Sequence, residues 1–188
     1  MPIDTRERIL RSAGDVLDRN GFGTAVDVLV TAAGVSTRTL YQRVGGKDAL
    51  VGAVLADRRR RFFDAVRHRP EQGLRALFDA LEEWFSAEGT NGCLFLRAFA
   101  ELGAGSETVR REVAKYDADL RAEVTERILH DLHDRDVVPS AKALRATVDE
   151  VLVVVEGVAS MAVRLGPSAA LIGRKIAERL VAGTGRSS

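Results

Sequence analysis

The chain has 188 residues, 46 % of them hydrophobic and 29 % charged, which suits a globular chain with a real core and excludes a disordered one. Its 28 Lys and Arg nearly balance 27 Asp and Glu, so any grip on a polyanion must come from a local patch rather than bulk charge. A single cysteine, Cys93, excludes an intramolecular disulfide and a cysteine-built metal cluster.

The charge is unevenly spread. Residues 1–69 hold 13 Lys or Arg against 8 Asp or Glu, and residues 70–188 hold 15 against 19. The segment from Met1 to Leu10 carries Asp4, Arg6, Glu7 and Arg8 and so has no apolar leader core. The longest apolar stretch, Val151 to Val163, is interrupted by Glu156 and is too short to span a bilayer. The expectation is a soluble, cytoplasmic protein with no membrane partner.

Helical spacing runs through the whole chain. Asp4, Thr5, Arg6 and Glu7 fit a capping box, with the Asp4 side chain accepting from the Glu7 amide. Ile9, Leu10, Ala13, Val16 and Leu17 follow at helical intervals, Asn20 and Gly21 supply the stop, and Phe22 reads as a core plug. Thr24 to Asp27 form a second box-like start, and Val26, Leu29, Val30 and Ala33 make a short apolar face ended by Gly34. Ser36 caps a third helix carrying Leu40, Tyr41 and Val44. Gly45 and Gly46 break it, and Lys47 opens a longer helix to about Arg69. Pro70 marks a boundary. Further helices are predicted at 71–87, 93–103, 106–134, 140–165 and 168–183, with a frayed tail after them. The Val151–Val155 run tempts a strand assignment, but Val148, Leu152, Val155, Ala159 and Ala162 keep helical spacing around it.

Two short helices joined through Ala33 and Gly34, after an amphipathic helix, suggest a helix-turn-helix. Ser36 points the amides of the second helix toward a phosphate, and Thr37, Arg38, Thr39, Gln42 and Arg43 offer the polar groups that reach base edges and phosphates. Tyr41 and Lys47 are suited to phosphates. On spacing alone a plain helical hairpin is an equal reading. The run of motifs decides between them. Thr5 to Leu10, Asn20 to Phe22, Ala33 to Ser36, Thr39 to Tyr41 and Lys47 to Leu50 together resemble the DNA-binding region of TetR-family transcriptional regulators.

That resemblance implies an all-α homodimer: a three-helix reader, then a larger helical domain that binds a small molecule and dimerises, with the effector releasing operator DNA. It implies DNA contacts from Ser36, Arg38, Thr39, Tyr41, Gln42 and Lys47, and a capping and phosphate role for Thr24. The sequence departs from the family pattern in places. The stretch from Phe22 to Gly34 is one residue short, Val30 stands where a small Ala is usual, and Val44 and Gly45 replace the usual Phe and its successor. The Val30 and Val44 changes offset each other in volume. The expected organisation, about nine helices in all, is a reader at 1–46, a connecting helix at 47–69, a ligand-binding and dimerisation domain at 70–183 and a flexible tail at 184–188.

The stretch Gly92 to Leu96, with Ala100 to Leu102 after it, resembles one branch of the same family. Phe78, Leu81, Trp84, Phe85, Phe95 and Phe99 read either as a pocket wall or as ordinary core, and Tyr116 as a ligand hydroxyl or packing. Glu156 contacts a ligand, pairs across a dimer or faces water, and Arg97 is a second buried polar candidate. The family's dimer face falls on Val151, Val155, Ala159, Leu171, Ile172, Ile176 and Leu180. The four arginines from Arg58 to Arg61 spread around their helix, as a salt-bridged surface or as general electrostatic support. His130, Asp131, His133 and Asp134 lack a clear further ligand, so no metal and no cofactor is expected. No nucleophile and base set, glycine phosphate loop or carboxylate pair stands out, so no enzyme is expected. The partners expected are a double-stranded operator, a small effector of unknown identity and a second copy of the chain.

Overall fold

A computed structural model describes residues 4–69 and 72–184. Among these lie nine α-helices and no strand: α1 (Thr5–Asn20), α2 (Val26–Ala33), α3 (Thr37–Val44), α4 (Lys47–Arg67), α5 (Gly73–Glu88), α6 (Leu94–Leu102), α7 (Glu107–His133), α8 (Ala141–Leu165) and α9 (Ser168–Gly183). The predicted helices all form, with ends shifted by a residue or two. The boundary at Pro70 and the residues after Thr184 lie outside the described residues. Thr184, assigned to the tail, is instead buried, and its hydroxyl meets that of Thr147 on α8 at 2.8 Å.

Two expected caps do not form. Asp4 occupies the N-cap of α1 but its side chain caps nothing, while Glu7 is taken up by Arg11 at 2.9 Å one turn along. At α2 the N-cap is Ala25, and the Thr24 hydroxyl turns away to donate to the Gly21 carbonyl at 2.7 Å. Ser36 does cap α3 and Ser140 caps α8.

The described residues divide into two compact units. One runs up to Arg61 and adds Leu94–Tyr116, and the other holds Phe62–Cys93 and the residues from Asp117 on. Helices α4 and α7 supply residues to both. In the first unit α1 packs on α2 and α3, and Gly14 of α1 lies against Val54 of α4. Ile9, Leu17, Phe22, Leu29, Leu40 and Leu50 are fully enclosed, each burial contributing about 1.5–3 kcal/mol. Phe22 is the expected plug. In the second unit α5 packs on α9 and α9 on α8. An aromatic cluster at the end of α4 joins Phe62 edge-on to Phe63 (5.2 Å) and to Trp84 (5.5 Å). A buried ion pair fixes α4 there. Arg127 binds Glu123 at 2.7 Å and donates to the Val66 carbonyl, and Arg67 reaches the second oxygen of Glu123 at 3.3 Å.

No helix among the described residues is long and apolar enough to cross a membrane. Gly173 lets α9 approach closely, because a Cβ there would strike Val158 of α8 and Phe78 of α5. Gly173→Ala is expected to destabilise the chain by about 1–3 kcal/mol. A thermal melt checks this, and an unchanged midpoint would mean that the contact yields easily.

Candidate nucleic-acid interface

The turn into α3 is made by Gly34 at φ 62°. Its amide bonds to the Thr31 carbonyl and that of Val35 to the Val30 carbonyl, both at 3.1 Å, closing the end of α2. The Ser36 hydroxyl then accepts from the Thr39 amide at 3.1 Å and shares a hydrogen bond with the Thr39 hydroxyl at 2.9 Å. Leu40, completely buried, pins the inner face. Val30 is also buried and Val44 half-buried, so the two departures in volume are absorbed without loss of the helix.

The outer face of α3 is consequently bare. Arg38 and Gln42, one turn apart, project together, flanked by exposed Thr37, Tyr41 and Arg43. Arg38, Tyr41, Gln42 and Arg43 make no side-chain hydrogen bond or ion pair with the described residues, and neither does half-buried Lys47 at the start of α4. Thr24 differs, since its one hydroxyl proton is committed to Gly21.

The reader is held from behind by α6, a connection that sequence reasoning missed. Arg97 donates to the Asp18 carbonyl near the end of α1 at 2.7 Å and to Glu101 at 2.9 Å. Glu101 in turn accepts from the Phe22 amide at 2.7 Å. The side chains pack so near Gly21, at φ 88°, that a Cβ there would lie 2.9 Å from Arg97 Nη2. Burial pushes the Glu101 carboxyl up. The hydrogen bonds from Arg97 and from the Phe22 and Gly23 amides outweigh that and hold it below the usual range. A second bond ties α4 to α7: Ser106, whose hydroxyl also caps the Val109 amide, donates to Asp48 at 2.5 Å. Hydrogen bonds from Ser106 and Thr108 keep Asp48 below its usual pKa. A cleft of about 400 Å³ opens here, lined by Lys47, Asp48, Val51, Glu101, Leu102, Gly105 and Ser106.

The ligand-pocket candidates fall in different units. Phe95, Phe99 and Tyr116 lie in the first, and Phe78, Leu81, Trp84, Phe85 and Glu156 in the second. Phe95 and Tyr116 are buried and stack at 3.9 Å, whereas Phe99 is 51 % exposed. Phe78, Leu81 and Phe85 are core, and Trp84 is half-buried. Glu156 is half-buried with Cys93 Sγ 3.9 Å from one oxygen. None of the eight lines the cleft above or a second one, of about 300 Å³, walled by Arg75, Asp131, Asp134, Arg135, Glu178 and Val181. The His130 group has other tasks. Asp131 accepts from the Leu74 amide at the start of α5, and His130 faces Asp134 at 3.4 Å. No three His, Cys, Asp or Glu among the described residues are grouped to hold a metal.

Residues 70–174 match the family described as "Tetracyclin repressor-like, C-terminal domain". The chain belongs to the TetR family of transcriptional regulators. Solved TetR-family structures share its fold along its length. A regulator from Streptomyces coelicolor is 21 % identical, covers 97 % of this chain and 96 % of its own, and has a TM-score of 0.79. One from Streptomyces avermitilis is 24 % identical with coverages of 96 % and 98 % and a TM-score of 0.74. One from Cytophaga hutchinsonii is 15 % identical, with complete coverage of both chains and a TM-score of 0.75. No curated protein matches the sequence.

In this TetR-family chain the sequence-assigned dimer face is only partly on the surface. Val151 and Val155 are 0 % and 2 % exposed, so they are core and offer a partner nothing. Ala159 and Leu180 are half-buried, while Leu171, Ile172 and Ile176 are exposed on α9. Val153 and Met161, which the sequence reading passed over, are exposed on α8, with Gly157 between them at helical spacing. Their signal was present: once Val148, Val151, Val155, Val158 and Ala162 form the inner stripe of α8, Val153 and Met161 form a second.

The arginine run is a salt-bridged surface. Arg58 makes a largely buried pair with Asp18 at 2.6 Å, and Arg60 and Arg61 hold Asp57 at 2.7 and 2.9 Å. Arg58→Ala is expected to cost about 3–5 kcal/mol because it strands a buried carboxylate, and Arg60→Ala about 0–1 kcal/mol. Denaturant melts of the two variants decide this, and equal losses would refute the assignment.

The lowered pKa values of Glu101 and Asp48 set a pH dependence. Their contribution is complete above the unfolded carboxylate range, roughly pH 4, and is lost as pH falls through the lower folded values. Melting temperature should therefore drop below about pH 4. Glu101→Gln should flatten part of that drop, and an unaltered acid limb in this variant would count against the clasp.

Proposed function

We propose that the chain is a ligand-responsive repressor that acts in the cytoplasm, binding a palindromic operator as a homodimer through α3 and released by a small apolar or amphipathic effector. The observation that carries the reading is the outer face of α3. Arg38 and Gln42 project side by side from a Ser36-capped helix with no partner among the described residues, and a guanidinium fork and a carboxamide are the groups that read guanine and adenine edges. Tyr41 and Lys47 flank them as phosphate contacts. The apolar surface left open on α8 and α9 supports dimerisation, since a two-fold axis would pack Val153, Met161, Ile172 and Ile176 against their own copies. Two reading helices would then suit a two-fold site. The bonds from α6 to the reader supply the lever by which an effector shifts the DNA-competent population.

The direct test is binding to DNA from just upstream of the chain's own gene against random DNA of equal length, across a salt series. Preferential binding at two chains per site is expected. Equal, steeply salt-dependent affinity for both, together with no enriched fragment in a genome-wide selection, would remove the reading. Tyr41→Ala and Lys47→Ala should weaken binding to every sequence, with Lys47→Ala reducing the salt slope by about 1. Arg38→Ala should also relax the preference at one base, and equal losses on cognate and random DNA would refute its reading role. The double variant Ile172→Glu with Ile176→Glu should sediment as a monomer and lose operator binding.

A further inference from the structure

Glu112 lies on α7 within the first unit and is only 7 % exposed. Its Oε1 meets the ammonium of Lys115, a half-exposed side chain, at 2.7 Å. Its Oε2 is shut off from solvent and accepts no hydrogen bond from the described residues. Native proteins seldom leave a buried carboxylate oxygen unmatched, because it is a strong acceptor that has given up water. Such an oxygen suits a donor that arrives with a ligand.

The surroundings define that ligand further. Tyr116 follows one helical turn later, so it shares the face of Glu112. It is buried, and its ring lies parallel to that of Phe95 on α6 at 3.9 Å and 4°. An anionic acceptor beside an aromatic pair suits a positively charged donor carried on an apolar body. Lys115 already meets Oε1, so Oε2 is the atom left to bind; a charged donor bonds a carboxylate oxygen more strongly than a neutral one, and an anion would be repelled.

We propose that Glu112 anchors the ammonium group of a small organic cation whose apolar body packs toward Phe95 and Tyr116. The proposal rests on the effector-responsive reading above in one respect: the cation is then the effector class. Phe95 stands two residues before Arg97 and six before Glu101, the side chains that hold the Asp18 carbonyl and the Phe22 amide. A ligand that moves the Phe95 end of α6 therefore acts on the bonds that position the reader.

The test is calorimetry on the full chain with benzylammonium, phenethylammonium and 4-phenylbutylammonium, against benzyl alcohol and phenylacetate as neutral and anionic counterparts. At least one ammonium should bind one per chain, at least about tenfold more tightly than either counterpart. Glu112→Gln, with a wild-type circular dichroism melt, should weaken it by about ten- to a hundredfold. Lys115→Met, which removes the competing internal cation and keeps Glu112, should tighten it and serves as the second variant if Glu112→Gln does not fold. Absence of binding by all three ammonium ions at millimolar concentration overturns the proposal. So does unchanged affinity in folded Glu112→Gln or, failing that, in Lys115→Met. Release of operator DNA is read separately by fluorescence anisotropy. A cation that binds through Glu112 and leaves DNA affinity untouched keeps the site and overturns the effector reading.

Discussion

The bonds from Arg97 and Glu101 to the end of α1 are the constraint on which the reader depends. A helix end leaves carbonyls without amides, and the turn after it leaves amides without carbonyls. At α1 both needs are met from one helix four-fifths of a hundred residues away in sequence: a guanidinium takes the Asp18 carbonyl and a carboxylate takes the Phe22 amide. Arg97 and Glu101 also bind each other, so neither charge is stranded by its partial burial. Gly21 completes the arrangement by giving the two side chains room. The position of α1 and the turn after it is thereby tied to α6, a helix outside the helix-turn-helix.

Helix α4 is held in the same manner at two places. Near its start Asp48 takes the proton of Ser106, the residue that caps α7. Near its end Arg127 and Glu123 of α7 hold the Val66 carbonyl and Arg67. The first of these is exposed to water and its carboxyl titrates. In the second the Arg127–Glu123 pair is buried and so screened less by salt, while Arg67 is half exposed.

Much of the fold was legible in the sequence because helix signals are local. Spacing of Ile9, Ala13, Val16 and Leu17 fixed α1, Gly34 and Ser36 fixed the turn and cap of α3, and the interrupted valine run settled as α8. The failures share a cause. The Asp4 and Thr24 caps were read from residue type, yet the Asp4 side chain makes no cap bond and the Thr24 hydroxyl takes the Gly21 carbonyl instead. Val151 and Val155 were assigned to a surface because apolar spacing marks a buried face without saying whether the same chain or a second copy buries it. Glu112 escaped notice because a glutamate on a charged helix carries no local sign of enclosure.

The sequence by itself determined the number and order of the helices, the helix-turn-helix with its exposed Arg38 and Gln42, and the family resemblance, since each of these rests on residues within a turn or two of one another. Tertiary structure alone decided that Arg97 and Glu101 serve the reader, that Arg58 is matched by Asp18 and that one oxygen of Glu112 is enclosed without a partner. These facts join residues tens of positions apart, or depend on what closes over a side chain. Pairing at that distance is set by packing of the folded chain, which periodicity and residue type do not encode.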